Sequence, residues 1–201
     1  MNKQGTDLKA FAGHIVDLFR LATFTFNNPH SLTKVRQIKS IGRKSGARCL
    51  IESGTYLGNN ARRCSNAFDN VITIEIDKAL ASSAGNHLAK YTNVEVINGD
   101  VMDVLPSVLD RPEVQDVLVY LDGHFSGGDT GIGVQLEPAC DVIFLLATYG
   151  QKIRSIIVDD FREFGHPGWP RKSELIRALE DNFGGDFEIT VSLDQVIARR
   201  L

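Results

Sequence analysis

Two apolar runs that each end in acid hold the most pointed chemistry in this sequence: Val117-Leu118-Val119-Tyr120-Leu121-Asp122 and Ser155-Ile156-Ile157-Val158-Asp159-Asp160. Such runs suit buried parallel strands, and two of them side by side bring their last residues to one edge of a sheet. Asp122, Asp159 and Asp160 would then form a cluster of carboxylates, which repel one another unless something compensates. A hard divalent cation such as Mg2+ does so with oxygen ligands and leaves positions open for water and substrate. The plainer use of the same residues is to cap helices or accept from backbone amides. Asp122 runs on into Gly123-His124-Phe125-Ser126-Gly127-Gly128, too glycine-rich for a helix and too polar for core, and therefore expected as an active-site loop. His124, with an ordinary pKa of about 6.5, suits removal of a substrate hydroxyl proton or an extra metal bond, and a structural histidine is the alternative. A second loop, 161–170, offers Arg162, His166 and Trp169 for substrate recognition, although Trp169 could equally cover core.

A second constellation lies nearer the start. The segment Leu50-Ile51-Glu52-Ser53-Gly54-Thr55-Tyr56-Leu57-Gly58-Asn59-Asn60 joins an apolar strand to a helix through a glycine turn bearing a carboxylate. Gly54 and Gly58 let backbone approach a ligand closely, and Asn59 is placed to cap a helix running to Phe68. The next strand ends in Glu75, whose carboxylate can accept from both hydroxyls of a ribose, with Asp77 set to cap the following helix. Asp100, after Asn98-Gly99, can accept from an adenine amino group or cap its own helix. The spacing fits an adenosine, and by itself it separates neither a dinucleotide from another adenosyl cofactor nor either from a turn kept for packing.

These residues need a frame that aligns strand ends. Strands are expected near 48–53, 71–76, 94–98, 116–121 and 155–158, and helices near 59–68, 78–90, 101–109, 134–149 and 171–183. The alternation implies an α/β, doubly wound, mostly parallel seven-stranded sheet with helices on both faces. Its last two strands, Phe187 to Ser192 and Gln195 to Arg199, close it as an antiparallel hairpin about Leu193-Asp194. An N-terminal helical extension, 1–45, precedes this domain, 46–201. In it Leu8, Phe11, Ala12, Ile15, Val16 and Phe19 follow helical spacing and are expected to form a buried stripe, and Ser31 is placed to cap a second, short helix. Between Arg20 and Glu52 stand Lys34, Arg36, Lys39, Arg43, Lys44 and Arg48 without an acidic residue, a solvated face or a grip for a phosphorylated substrate.

Composition narrows the classes. With 201 residues, 43% hydrophobic and 23% charged, the chain has the make-up of one soluble domain, and a net charge of −3 gives no global attraction to nucleic acid or anionic membrane. Lys9, His14, Asp17 and Arg20 interrupt the apolar stretch 8–26, which argues against a membrane span, and no signal-peptide pattern opens the sequence. Cys49, Cys64 and Cys140 lack metal-ligand spacing and read as reduced core residues, the usage of a cytoplasmic protein.

From Arg48 to the end, the order of these motifs resembles the Rossmann-like S-adenosylmethionine-dependent methyltransferases. Glu52-Ser53-Gly54-Thr55-Tyr56-Leu57-Gly58, Ile72-Thr73-Ile74-Glu75-Ile76 and the Asp122, Asp159, Asp160 set are most similar to the metal-dependent O-methyltransferases of the catechol and caffeoyl-CoA type, and Asp159-Asp160 is similar to the macrocin-type sugar enzymes. The resemblance implies a cofactor site of Glu52, Gly54, Thr55, Tyr56, Gly58 and Asn60, with Glu75 on ribose, Asp100 near adenine and Asp122 close by. It also implies Mg2+ on Asp122, Asp159 and Asp160, and O-methylation of a small hydroxylated acceptor, a sugar or a phenol. Catechol-type enzymes carry a lysine base three residues after the first metal aspartate, where this chain has Phe125, so His124 is the nearest substitute, with Asp122 beside it. Nucleic acid is not an expected partner, and self-association is left open. Two other readings stand: a noncatalytic cofactor-binding module of this fold, and an NAD-dependent oxidoreductase, which would usually show G-x-G-x-x-G and has no use for three clustered aspartates.

Overall fold

Alternation along each strand decides which side of the sheet every core residue serves. In β1 (Cys49–Ser53), Cys49 and Ile51 face one way and Leu50 the other; in β4 (Val117–Leu121), Val117, Val119 and Leu121 oppose Leu118 and Tyr120. The structure, a computed structural model, describes residues 7–22, 29–122 and 138–201. Its further strands are β2 (Asn70–Glu75), β3 (Val94–Asn98), β5 (Ile153–Val158), β6 (Phe187–Ser192) and β7 (Gln195–Arg200). They form one seven-stranded sheet in the order β3-β2-β1-β4-β5-β7-β6. β1 to β5 are parallel to their neighbours, whereas β7 runs antiparallel to β5 and to β6. Leu193 and Asp194 both take left-handed φ, 53° and 64°, which closes the β6–β7 hairpin with the twist that flanking strands require.

The helices divide between the two faces. α5 (Val101–Leu109), α6 (Ala139–Ala147) and α7 (Lys172–Phe183) pack on the face of Ile51, Val119 and Ile156. The opposite face, with Leu50, Leu118 and Ile157, takes α2 (Ser31–Ser45), α3 (Asn59–Cys64) and α4 (Lys78–Leu88). Each fully buried Ile or Leu contributes about 1.5–3 kcal/mol, so both layers are needed to hold the strand ends in line. The fold matches the doubly wound expectation, with α2 delivering Val35 and Ile38 into the same core as the sheet.

Three local expectations are corrected. α3 is capped by the backbone of Gly58, at φ 73° and with no side-chain cap bond; Asn59 is its first residue, and it stops at Cys64, short of Phe68. The residue before α2 is His30, also without a side-chain cap, and Ser31 Oγ instead accepts from Arg63 Nη1 at 3.2 Å. The stripe on α1 (Asp7–Ala22) is not buried: Leu8, Phe11, Ile15, Val16 and Phe19 are exposed, and α1 meets α2 through Gly13, His14 and Asp17. Asp17 Oδ2 accepts from the His30 amide at 2.7 Å and from Thr33 Oγ1 at 2.5 Å, and His14 Nδ1 lies 2.8 Å from Thr33 Oγ1. Periodicity shows that a helix has two faces, but a polar network this complete decides which one the domain takes. Among the described residues no helix is long and apolar enough to cross a membrane.

Candidate active site

Because β1 to β5 are parallel, their carboxyl ends meet along one edge, and backbone bonds extend the ladder one step past the strands. The Gly54 amide donates to Ile74 O (3.0 Å), Gly99 to Glu75 O (3.0 Å), Asp122 to Ser53 O (3.1 Å) and Asp159 to Leu121 O (3.0 Å). Glu75, Asp122 and Asp159 thus stand in one row, with the β1/β4 junction, where the strand order reverses, at its centre. Two residues further down, register pairs Glu52 with Thr73 on one side and Tyr120 on the other.

Around β1 the turn has the form of a ligand cradle. Gly54, Tyr56 and Gly58 all take positive φ, at 90°, 47° and 73°. Tyr56 therefore sits where a glycine would be unstrained, and its amide donates to Glu75 Oε2 at 2.7 Å while Asp77 donates to Oε1 at 3.0 Å. A carboxylate has about four lone-pair sites, so Glu75 keeps acceptor capacity after these two bonds. Glu52 is 1% exposed and accepts from Thr73 Oγ1 at 2.8 Å and from Asn60. Burial pushes its carboxyl up to about 7, which Thr73 and Asn60 only partly offset. Thr55 Oγ1 is 2.6 Å from Thr73 Oγ1, so that side chain is committed inward. A Cβ on Gly58 would come within 2.7 Å of Leu88 Cδ1, so Gly58 is explained by helix packing as well as by any ligand. Asp77 caps α4 through Leu80, as expected, and Asp100 caps α5 with Oδ1, 2.9 Å from the Met102 amide.

At β4 and β5 the three aspartates come together, with one oxygen of each within 4.8 Å of the others. They are far from alone. Lys34 Nζ, from α2, lies 2.6 Å from Asp159 Oδ2 and 2.9 Å from Asp160 Oδ1. Tyr120 Oη also donates to Asp159 Oδ2, and Gln195 Nε2 donates to Asp159 Oδ1 at 3.1 Å. Arg162 Nη1 donates to Asp160 Oδ1 at 2.8 Å and pairs with Asp194, tying the loop after β5 to the hairpin turn. Burial opposes the charge on Lys34, but Asp159, Asp122 and Asp160 more than offset it and hold the ammonium well above its ordinary range. Burial likewise opposes ionisation of Asp160, which Lys34 and Arg162 outweigh, leaving it below the usual carboxylate range. For Asp122, burial and then the charge of Asp159 push the carboxyl well up, against Lys34.

Of the expected loop residues, Arg162 is engaged by two aspartates, His166 is exposed 3.3 Å from Glu163, and Trp169 packs edge-on against Phe164 at 5.3 Å on the core. His124 lies outside the described residues. Sequence reading missed Lys34, Tyr120 and Gln195. Tyr120 was detectable, since a tyrosine two residues before Asp122 shares its side of the strand and needs a partner for its hydroxyl. For Lys34 the signal was the acid-free basic stretch; for Gln195 there was none. Cys49 and Cys64 are buried, with burial raising both thiols to about 12, and Cys140 is partly buried; none of the three is in a disulfide.

No protein-family model matches the chain. Among curated proteins it is 41% identical over 54 residues to the ribosomal RNA small subunit methyltransferase A of Alkaliphilus oremlandii, a match spanning 27% of this chain and 19% of that protein. Solved structures align over far more of it. The O-methyltransferase TomG of Streptomyces achromogenes, in complex with S-adenosylmethionine, superposes with a TM-score of 0.61 at 18% identity, covering 96% of this chain and 98% of TomG. An O-methyltransferase of Bacillus cereus with S-adenosylhomocysteine gives 0.60 at 17% identity over 94% and 90% of the two chains. The methyltransferase PaMTH1 of Podospora anserina gives 0.59 at 14% identity over 100% and 97%. With the strand order and reversed last strand described above, this likeness establishes that the chain has the Rossmann-like methyltransferase fold.

Proposed function

We propose that this protein is an S-adenosylmethionine-dependent methyltransferase that methylates a hydroxyl oxygen of a small acceptor, a sugar or a phenol. One observation carries the reading. Glu52 and Glu75 flank the β1 turn with Asp100 beyond β3 on the same edge, and on the other side, one and two strands from β1, stands a second polar centre built on Asp122, Asp159 and Asp160. In this account Glu75 grips the ribose diol, Asp100 meets the adenine amino group with the oxygen not engaged by its cap, and Glu52 with Asn60 faces the methionine end beside the backbone of Gly54, Thr55, Tyr56 and Gly58. The cofactor, when bound, supplies the electrophilic methyl group on a sulfonium. The chain then has to hold the acceptor oxygen in line with that methyl and take its proton, and alignment of this kind is a major source of rate. Asp122 flanks the site and, with His124, is assigned to the acceptor's proton. Three cysteines held outside any disulfide suit a cytoplasmic setting.

Asp122, Asp159 and Asp160 have the donor chemistry of Mg2+ ligands, with one oxygen of each within 4.8 Å of the others, which is the premise of a metal-assisted reading. With Lys34 in place they do not fit one, because its ammonium stands on Asp159 and Asp160 where the cation would bind. No step is therefore routed through a metal. The resemblance to a ribosomal RNA methyltransferase, although confined to 54 residues, makes RNA the acceptor to test against small molecules. Transfer of a labelled methyl group from S-adenosylmethionine to panels of phenols, sugars and ribosomal RNA tests the reading. Label on a hydroxylated small molecule supports it, and label on RNA alone overturns the acceptor class.

A further inference from the structure

We propose that the Lys34 ammonium is the resident cation of the Asp122, Asp159 and Asp160 cluster, so that this site is completed from within the chain in place of a divalent metal. The inference refines the site assigned to methyl transfer, and its role in turnover rests on that reading; the cation assignment itself does not.

Four observations support it. Lys34 Nζ bridges two of the three carboxylates at 2.6 and 2.9 Å, and its side chain is only 12% exposed. Both oxygens of Asp159 are already engaged, Oδ1 by Gln195 and Oδ2 by Tyr120 and Lys34, while Asp160 Oδ1 accepts from Lys34 and Arg162. Mg2+ needs bare carboxylate oxygens at about 2.0–2.1 Å in near-octahedral array, and an ammonium resting on two of those carboxylates both blocks and repels it. Lys34 is also held in place. Its neighbours Val35 and Ile38 are buried in the core under the sheet, and Gln37 Nε2 donates to Ser192 O at 3.1 Å, fastening α2 to the β6–β7 hairpin. An ammonium has three donors, and the two aspartates take two of them. The charge of Asp122 bears on Lys34 as well, so all three carboxylates answer to this one ammonium.

The test is a Mn2+ titration of the full chain, followed by electron paramagnetic resonance without S-adenosylmethionine, on the wild type, Lys34→Met, Lys34→Arg and Asp159→Asn. The wild type and Lys34→Arg are expected to bind no Mn2+ below about 1 mM. Lys34→Met is expected to bind it at least tenfold more tightly than the wild type. Sub-millimolar wild-type binding that Asp159→Asn abolishes overturns the proposal, and so does a folded Lys34→Met with no gain. Should Lys34→Met not fold, the wild-type titration decides alone: saturable sub-millimolar binding contradicts the assignment and its absence supports it. Binding of S-adenosylmethionine to the same samples, measured separately, reports on the methyl-transfer reading whatever the metal does.

Discussion

Glu52 is an acid whose burial makes its charge expensive. It is fully buried between Thr73 and Tyr120, and its folded-state pKa of about 7 stands above the ordinary 4.5. A folded pKa raised in this way gives a stability contribution that is complete below about 4.5 and is lost as pH rises through about 7. The shift corresponds to roughly 3 kcal/mol at most. Glu52→Gln keeps the neutral form at every pH and can still accept from Thr73. Melting curves should therefore show the variant gaining on the wild type between pH 5 and pH 8, and parallel curves would refute the burial argument. Two turn residues should respond with different weight. Gly58→Ala places a side chain at φ 73° and within 2.7 Å of Leu88 Cδ1, for an expected loss of about 2 kcal/mol or more. Tyr56→Gly relieves a left-handed backbone and should cost less than about 1 kcal/mol despite removing an aromatic ring. Chemical denaturation of both tests the geometry, and equal losses would contradict it.

At the scale of elements, the strands were legible to within one or two residues because apolar runs ending in acid or asparagine leave little freedom of register. What one sequence could not fix was which surface of an amphipathic helix meets the domain. On α1 the apolar stripe faces outward and Asp17 anchors the helix through His30 and Thr33. Phe11→Ser and Phe19→Ser should each leave thermal stability within about 0.5 kcal/mol of the wild type, whereas Asp17→Ala should cost several times more by stranding buried donors. A large loss from either phenylalanine change would restore the buried stripe. Similar limits hid Lys34: a lysine in a basic helix reads as a solvated face until topology places β5 beneath it. The carboxylate cluster was readable because strand adjacency alone implies it; its partners Lys34 and Gln195 come from α2 and β7, distant in sequence, and had to be seen.

Across the whole molecule, the sheet order sets a row of acids along its carboxyl edge, where the proposed reading seats an adenosyl ligand toward one end and an acceptor oxygen toward the other. The central claim of the proposed reading is its cofactor, S-adenosylmethionine rather than NAD. Ligand at 100 times its dissociation constant stabilises the folded state by about 2.7 kcal/mol, which for a chain of this length raises the melting temperature by roughly 5–10 °C. The most direct measurement is the melting temperature of the wild type and Glu75→Ala with saturating S-adenosylmethionine, S-adenosylhomocysteine or NAD. A rise of that size with the first two, absent with NAD and lost in Glu75→Ala, is the predicted result. No shift with either adenosyl compound at millimolar concentration, or a shift with NAD alone, would contradict the account.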